Sequence, residues 1–580
     1  MTGQGSRGPT DSMWTGPDTA RFFLAPTIRR IASRKLTGGY RNFETEGPEG
    51  VLGVLSQGSR THGSWPRPVS VKGSWMEATS PKPSGARSPL SAWEWRGVYA
   101  MAAILGLGLL MVAGRYGYSR DELYFLACAR HLAWGYPDQP PLVPLIARFM
   151  VAIAPNSVTV LRLPAIASAM AVVILTALIA REFGGGRKAQ GLAAAVMTVS
   201  VMVLVSGHLL ETSTIALPLW ALLIWLVQRA VRARHDRLWL VIGAVAGVAL
   251  MESDLVLGLM GAIVLGLLLA GPRRIFRTPW IYAGAGLALA MWSPYVFWQA
   301  AHGWPELAVA HGIATGHSGT STPRWAVLPG QLEMVTFMAP VIVAGAIRLV
   351  RGADAVAGRM WAVAYGILAL GIEIAGGKDY YLSLMIPLLV AAGAEPTVNW
   401  ASRGRRRLRG GVLAAGFVAS LVLVPVALPV LPVQELHNTP VVAINSTMGE
   451  EVGWPTFVQE IATVYHSLPH DTQVSTIILA SNYGEAGAVN QFGPADGLPA
   501  VYSGHMSYWY WGPPPAGATT AVAVGFSRGQ LSGFCGRIRL ATHLNNHLQV
   551  KDEEQGNPVY VCSHLRVSWK AIWPRLKTYG

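Results

Sequence analysis

Three cysteines in 580 residues are too few for a disulfide scaffold or a cysteine-based zinc site. Charged residues are scarce as well, at 13%, and Asp and Glu are outnumbered 31 to 46 by Lys and Arg. A net charge of +15 on a soluble chain would point to nucleic acid, but no nucleic-acid-binding motif accompanies it here, so no such partner is expected. No signal-peptide pattern precedes the first long apolar block near Trp95. No internal repeat suggests the inverted halves of a transporter.

What is abundant is apolar. Half of the chain (51%) is hydrophobic, and it comes in blocks of about 18–25 residues, the length that spans a bilayer core. Eleven spans are expected, at 95–113, 157–181, 187–207, 213–232, 237–252, 254–271, 279–299, 329–350, 359–375, 380–398 and 411–432. Glu252-Ser253-Asp254 breaks the fifth from the sixth and reads as an outward hairpin. The cations fall in alternate loops: Arg181 to Lys188, Arg229 to Arg237, Arg273 to Arg277, Arg348 to Arg359 and Arg403 to Arg409. The positive-inside rule places these loops and the N-terminus in the cytoplasm. An odd number of spans then leaves residues 433–580 outside.

Three regions follow. Residues 1–92, rich in Gly, Ser, Pro and Arg, read as a disordered cytoplasmic segment. Residues 93–432 form the transmembrane domain. Residues 433–580 mix β-like runs (Val474–Leu479, Thr520–Val524, Val559–Cys562) with a helix near Thr456–Ser467, which suggests a small extracytoplasmic α/β domain. The expected fold class is thus an α-helical polytopic membrane protein with a C-terminal α/β domain. Cys535 and Cys562 share that domain, and an oxidising compartment favours a disulfide between them. The alternative is a pair of buried thiols.

The outward loop 114–156 is the richest in chemistry. Arg120-Asp121-Glu122-Leu-Tyr-Phe125 opens a stretch in which Leu123, Leu126, Ala127, Arg130 and His131 recur at helical spacing. That pattern predicts an amphipathic helix lying in the membrane interface, with two carboxylates at its N-terminal end, where the helix dipole favours them. The plain alternative is that both acids only cap the helix. Tyr136-Pro-Asp138-Gln-Pro-Pro-Leu142 follows.

These motifs resemble the dolichyl-phosphate-mannose protein mannosyltransferase and aminoarabinose transferase group, which shares the GT-C fold. The resemblance rests on Asp121-Glu122-Leu-Tyr, on Pro140-Pro141-Leu142, on Trp298 to Pro305 and on Gly377-Lys378-Asp379-Tyr380-Tyr381-Leu382. In the tail it rests on Asn482-Tyr-Gly-Glu-Ala-Gly-Ala488 and on Ser503 to Gly512. It implies a polyprenyl-phosphate-linked sugar donor and a protein, lipid or cell-wall acceptor. It also implies Asp121 as general base, with Glu122 orienting it or binding a cation or the acceptor.

Such a reaction needs a carboxylate to accept the acceptor's proton and a cation to support the leaving phosphate. Lys378, beside Tyr380 and Tyr381, is the expected phosphate partner, with Arg120 second. Glu211, in the next outer loop, is a second candidate acid. His208 and Glu211 stand three residues apart and, with Glu122, suggest a divalent-cation site; no cofactor is otherwise indicated. Asp138 is read as substrate-binding or as a turn residue. The competing functions are a flippase or transporter of a lipid-linked substrate and a non-catalytic glycan-binding scaffold.

Overall fold

The computed structural model describes residues 90–316, 323–351 and 355–579, which fall in one compact unit. The expected disordered segment lies, up to residue 89, outside the described residues.

All eleven apolar stretches are helical. Among the described residues, five helices are long and apolar enough to cross a membrane: Trp95–Val112, Val158–Glu182, Thr212–Ala233, Gly358–Ala375 and Arg406–Ala427. Two bent pairs raise the number to seven. Arg187–Thr198 and Val201–His208 meet at 57°, and Arg324–Glu333 and Thr336–Arg351 at 91°. The fifth and sixth expected spans are instead short helices, Leu238–Leu250 and Leu255–Ala270. At 1.5 Å per residue the 13-residue member covers about 20 Å, short of the ~30 Å hydrocarbon core.

Several of the basic loops lie side by side. The basic loops contact one another: Arg229 bonds Glu182 at 3.1 Å, Arg348 donates to the Phe183 carbonyl at 2.6 Å, and the Gly186 amide donates to Glu395 at 2.9 Å. The acidic loops gather elsewhere, around Asp121.

Residues 476–565 carry a five-stranded sheet in the order β2-β1-β3-β5-β4. Its strands are β1 (Thr476–Ala480), β2 (Val501–Ser503), β3 (Thr520–Val524), β4 (Cys535–His543) and β5 (Pro558–Leu565). β1 is parallel to both β2 and β3; β5 runs antiparallel to β3 and β4. β1 and β3 are buried along their whole length, which is why Thr476-Ile-Ile-Leu-Ala480 reads as a continuous apolar run rather than an alternating one. Cys535 and Cys562 are joined by a disulfide with Cα atoms 5.6 Å apart, linking β4 to β5; Cys128 is buried and free.

The two faces of the sheet serve different cores. Ile477, Leu479, Ala521 and Ala523 pack with Phe534 and Trp569. Ile478, Ala480, Val522 and Val524 share a core with Leu123, Phe125 and Leu126 of the Arg120–Arg130 helix. That helix is therefore not an interfacial helix with a wet face. Residues Glu122 to Ala129 are all buried, because the helix is clamped between the bundle and the sheet.

Glycine sets how closely the clamp shuts. The Tyr483–Phe492 helix crosses the Arg120–Arg130 helix at Gly484 and Gly487. A Cβ at Gly487 would come within 2.9 Å of the Leu123 backbone, and one at Gly484 within 2.5 Å of Arg120 Cγ. Gly487→Val is expected to force the helices apart and to lower stability by about 1–3 kcal/mol, the usual range for overpacking. Thermal unfolding of purified protein in detergent checks this, and an unchanged midpoint would refute the close crossing.

Candidate functional site

Asp121 and Glu122 are the second and third residues of the Arg120–Arg130 helix, and Ser119 caps it. Ser119 Oγ accepts from the Glu122 amide at 3.2 Å, and Glu122 Oε2 accepts from the Ser119 amide at 2.9 Å. This reciprocal capping box fixes the helix start. The two neighbouring acids consequently point to different partners.

Glu122 turns inward and is fully buried. Its Oε1 accepts from Arg162 Nε at 2.9 Å and from the Leu210 amide at 3.1 Å, and its Oε2 accepts from Arg162 Nη2 at 2.8 Å. Arg162 also bonds Glu451 at 3.1 Å and the carbonyls of Ala113 and Gly117 at 3.0 and 2.7 Å. His208 Nε2 completes the group, 3.1 Å from Arg162 Nη1 and 3.0 Å from Glu451 Oε2. The expected cation partnership of Glu122, His208 and Glu211 does not form in this arrangement. A guanidinium already neutralises Glu122, and His208 faces Arg162 and Glu451. Among the described residues no three His, Cys, Asp or Glu side chains converge as metal ligands.

Asp121 turns the other way and is half-buried. Tyr483 donates to its Oδ1 at 2.7 Å. Tyr483 is itself held on three sides: His505 stacks on it at 4.9 Å, Tyr124 leans on it at 4.6 Å, and the Arg120 guanidinium lies 4.8 Å over its ring. Arg120 is thereby committed to the C-terminal part, where it also pairs with Glu553. Its charge also acts on Glu450, which Asp121 faces as well.

Asp138 joins Asp121 through Tyr124, whose hydroxyl donates to Asp138 at 2.8 Å and lies 2.6 Å from Ser507 Oγ. The Asp138 carboxyl is raised to about 6, chiefly by burial; the Tyr124 hydrogen bond holds it down, Asp121 adds to the rise and Lys378 opposes it. Glu211 caps the Thr212–Ala233 helix. Burial, and then the charges of Asp121 and Glu122, push Glu211 to about 8, so it is mostly protonated at neutral pH. Lys378 Nζ lies 5.6 Å over the Tyr380 ring. Asp121, Asp138, Glu211, Lys378, Tyr380 and Tyr381 thus occupy one neighbourhood built from three separate loops.

Several members of the site are not evident in the sequence. Arg162 reads as an ordinary charge at a span's edge, and Glu451 and Tyr483 lie about 300 residues or more from the acids they serve. Glu306 was also unmarked. It hydrogen-bonds to Asp254, which accepts from Trp292 Nε1 at 3.0 Å. Burial and then Asp254 raise Glu306 to about 10, so this carboxyl pair holds a proton. Gln139 is buried beside Asp138 with its amide unpartnered. The signal for Tyr483 was the small-residue spacing of Gly484 and Gly487, which marks a close helix crossing.

Residues 138–298 match the family of dolichyl-phosphate-mannose-protein mannosyltransferases. The crystal structure of ArnT from Cupriavidus metallidurans bound to undecaprenyl phosphate superposes with a TM-score of 0.51 at 14% identity, covering 80% of this chain and 98% of that one. The apo form of the same protein gives 0.50 at 13% identity, with the same coverage. The mycobacterial arabinofuranosyltransferase AftD gives 0.49 at 15%, covering 82% of this chain and 40% of that one. No curated protein matches the chain. The likeness to ArnT is one of fold: a mostly helical bundle with a small C-terminal sheet.

The Arg162 cluster yields a stability prediction. Arg162→Met leaves Glu122 and Glu451 buried without a counter-charge, which is expected to cost about 3–5 kcal/mol. The measurement is the unfolding midpoint in detergent. A shift no larger than that of a lipid-facing substitution such as Leu107→Ala would show that the cluster is not structural.

Proposed function

We propose that the chain is a membrane glycosyltransferase that moves a sugar from a polyprenyl-phosphate donor to an acceptor on the extracytoplasmic side, with Asp121 as general base. The observation that carries this reading is the Asp121 carboxylate. It is half-buried, fixed by Tyr483 through one oxygen, and set beside a lysine and two further carboxyl groups in a fold shared with ArnT. That solved ArnT structure holds undecaprenyl phosphate. The positive-inside alternation supports the extracytoplasmic placement.

The reaction is a single displacement. The acceptor's hydroxyl or amine attacks the anomeric carbon while Asp121 takes its proton. The bond from that carbon to the phosphate oxygen breaks, and the electron pair leaves on the polyprenyl phosphate. Attack opposite the leaving group inverts the anomeric centre. Lys378 stabilises the charge developing on the phosphate, and Tyr380 and Tyr381 hold it in place. Tyr483 fixes the rotamer of the base. Glu122 acts through the helix, anchoring its first turn rather than touching substrate.

Asp121→Asn should reduce transfer by roughly 10²–10⁴-fold, the span typical of a general base, while leaving expression and insertion unchanged. The assay follows sugar transfer from a radiolabelled polyprenyl-phosphate sugar, and undiminished transfer would refute the assignment. A pH dependence follows from Glu211. Below about 8 its carboxyl is neutral and tolerates the incoming phosphate; above it, the ionised group repels that phosphate. The donor KM should therefore rise on the alkaline side of about 8, and Glu211→Gln should flatten that limb.

A further inference from the structure

Aromatic rings from three separate segments meet beside the loop that carries Asp138. His131, at the end of the Arg120–Arg130 helix, stacks on Trp511 with ring centroids 4.3 Å apart and planes 22° apart. Trp298 stacks on His302 at 4.0 Å and 18°. Tyr510, the chain neighbour of Trp511, lies 6.0 Å from Trp298 and 5.6 Å from His302. The platform adjoins the acidic site through its backbone. A Cβ at Gly135 would come within 2.9 Å of the Trp298 ring, and Gln299 donates to the Tyr136 carbonyl at 2.9 Å. Asp138 follows two residues after Tyr136.

These rings are not core. A core ring is covered, whereas Trp298, Tyr510 and Trp511 are only half-buried and both histidines are exposed. More exposed apolar side chains lie at Trp134, Leu145, Phe149, Ile153 and Phe297, which are 63%, 52%, 63%, 58% and 71% exposed. On the platform each exposed imidazole lies flat on an indole. The Tyr510 hydroxyl pairs with that of Tyr579 at 2.6 Å, and Lys577 Nζ sits 4.7 Å over the Tyr510 ring. Flat apolar faces are therefore interleaved with N–H and O–H groups. A sugar ring has the complementary make-up, with C–H bonds on one face and hydroxyls around the rim. The negative face of an aromatic ring attracts those C–H bonds, and the rim needs polar partners.

We propose that His131, Trp298, His302, Tyr510 and Trp511 form the docking platform for a carbohydrate acceptor, a chain of neutral sugars whose terminal hydroxyl is passed along the Asp138 loop to Asp121. The proposal rests on the glycosyltransferase reading and narrows its acceptor from protein, lipid or wall polymer to a glycan. Continuity with the acidic site selects this occupant. A peptide backbone would seek unpaired strand edges or grooves, and a lipid would seek the protruding apolar side chains on the neighbouring helix.

The test uses the full chain in lipid nanodiscs. The probes are an array of soluble neutral pentose and hexose oligosaccharides, a matched array of unmodified peptides, and empty nanodiscs. The wild type is expected to bind oligosaccharides. Trp511→Ala and Trp298→Ala should each weaken that binding roughly tenfold, the scale of losing one stacking ring. Trp511→Phe, which keeps a stacking face, should restore most of it, and Trp134→Ala should bind as the wild type does. The proposal is overturned if the wild type binds no oligosaccharide, if the alanine variants bind as tightly as wild type, or if peptides displace the sugar. Cleavage of a polyprenyl-phosphate sugar by the wild type is read separately. Its absence would sink the glycosyltransferase reading even where the saccharides bind.

Discussion

One buried guanidinium holds together the end of the molecule that carries Asp121. Arg162 accepts no exposure to water and bonds two carboxylates, a histidine and two backbone carbonyls. Those partners come from the loop after the first span, the capped helix, the turn before the Thr212–Ala233 helix and the C-terminal part. A buried charge with one partner is costly, whereas one whose donors are all used is specific to a single arrangement. Arg162 therefore fixes where the Arg120–Arg130 helix begins. Since Asp121 precedes Glu122 by one residue, fixing Glu122 inward directs Asp121 outward.

The second constraint is apolar. The helix carrying Asp121 shares its core with one face of the sheet, through Leu123 and Phe125 on one side and Val522 and Val524 on the other. The C-terminal part is thus not an appendage resting on a finished active site. It supplies Tyr483 to the Asp121 carboxylate, Ser507 to the Tyr124 hydroxyl and Glu451 to Arg162. A carboxylate on a helix packed from both sides has little freedom left to lose, and that rigidity is what the proposed displacement would require of its base.

The helices and the acids were legible in the sequence for different reasons. Apolar block length and alternating cations act locally, so the helical stretches and the separation of two loop sets could be read directly. Asp121, Asp138, Glu211 and Lys378 were legible because they are ionisable groups at span ends, and the resemblance supplied their order. The division of labour between Asp121 and Glu122 was not legible. It depends on Arg162 and Glu451, which carry no local pattern linking them to the loop. The surface-helix expectation for residues 120–130 failed for a related reason. Polar positions at the helix start looked like a wet face, but they are satisfied by capping and by long-range partners. The helices at Leu238–Leu250 and Leu255–Ala270 fall within two residues of the bounds read from the sequence, since the Glu252-Ser253-Asp254 break is itself a local signal.

The site faces an electrostatic difficulty. In the proposed reaction a lipid phosphate approaches a space where carboxyl groups outnumber Lys378. Protonation resolves it in steps. Asp138 titrates near 6, Glu211 near 8 and Glu306 near 10, each raised first by burial and then by its acidic neighbours. At neutral pH Glu211 and the Asp254–Glu306 pair therefore carry fewer charges than their number of oxygens suggests. Close packing of acids is self-limiting: each ionised carboxyl raises the next, so the cluster stops adding charge before it repels the phosphate. Lys378 then meets a donor in surroundings that are nearly balanced, and Asp121, fixed by a hydroxyl rather than paired with a cation, keeps the electron density that a base needs.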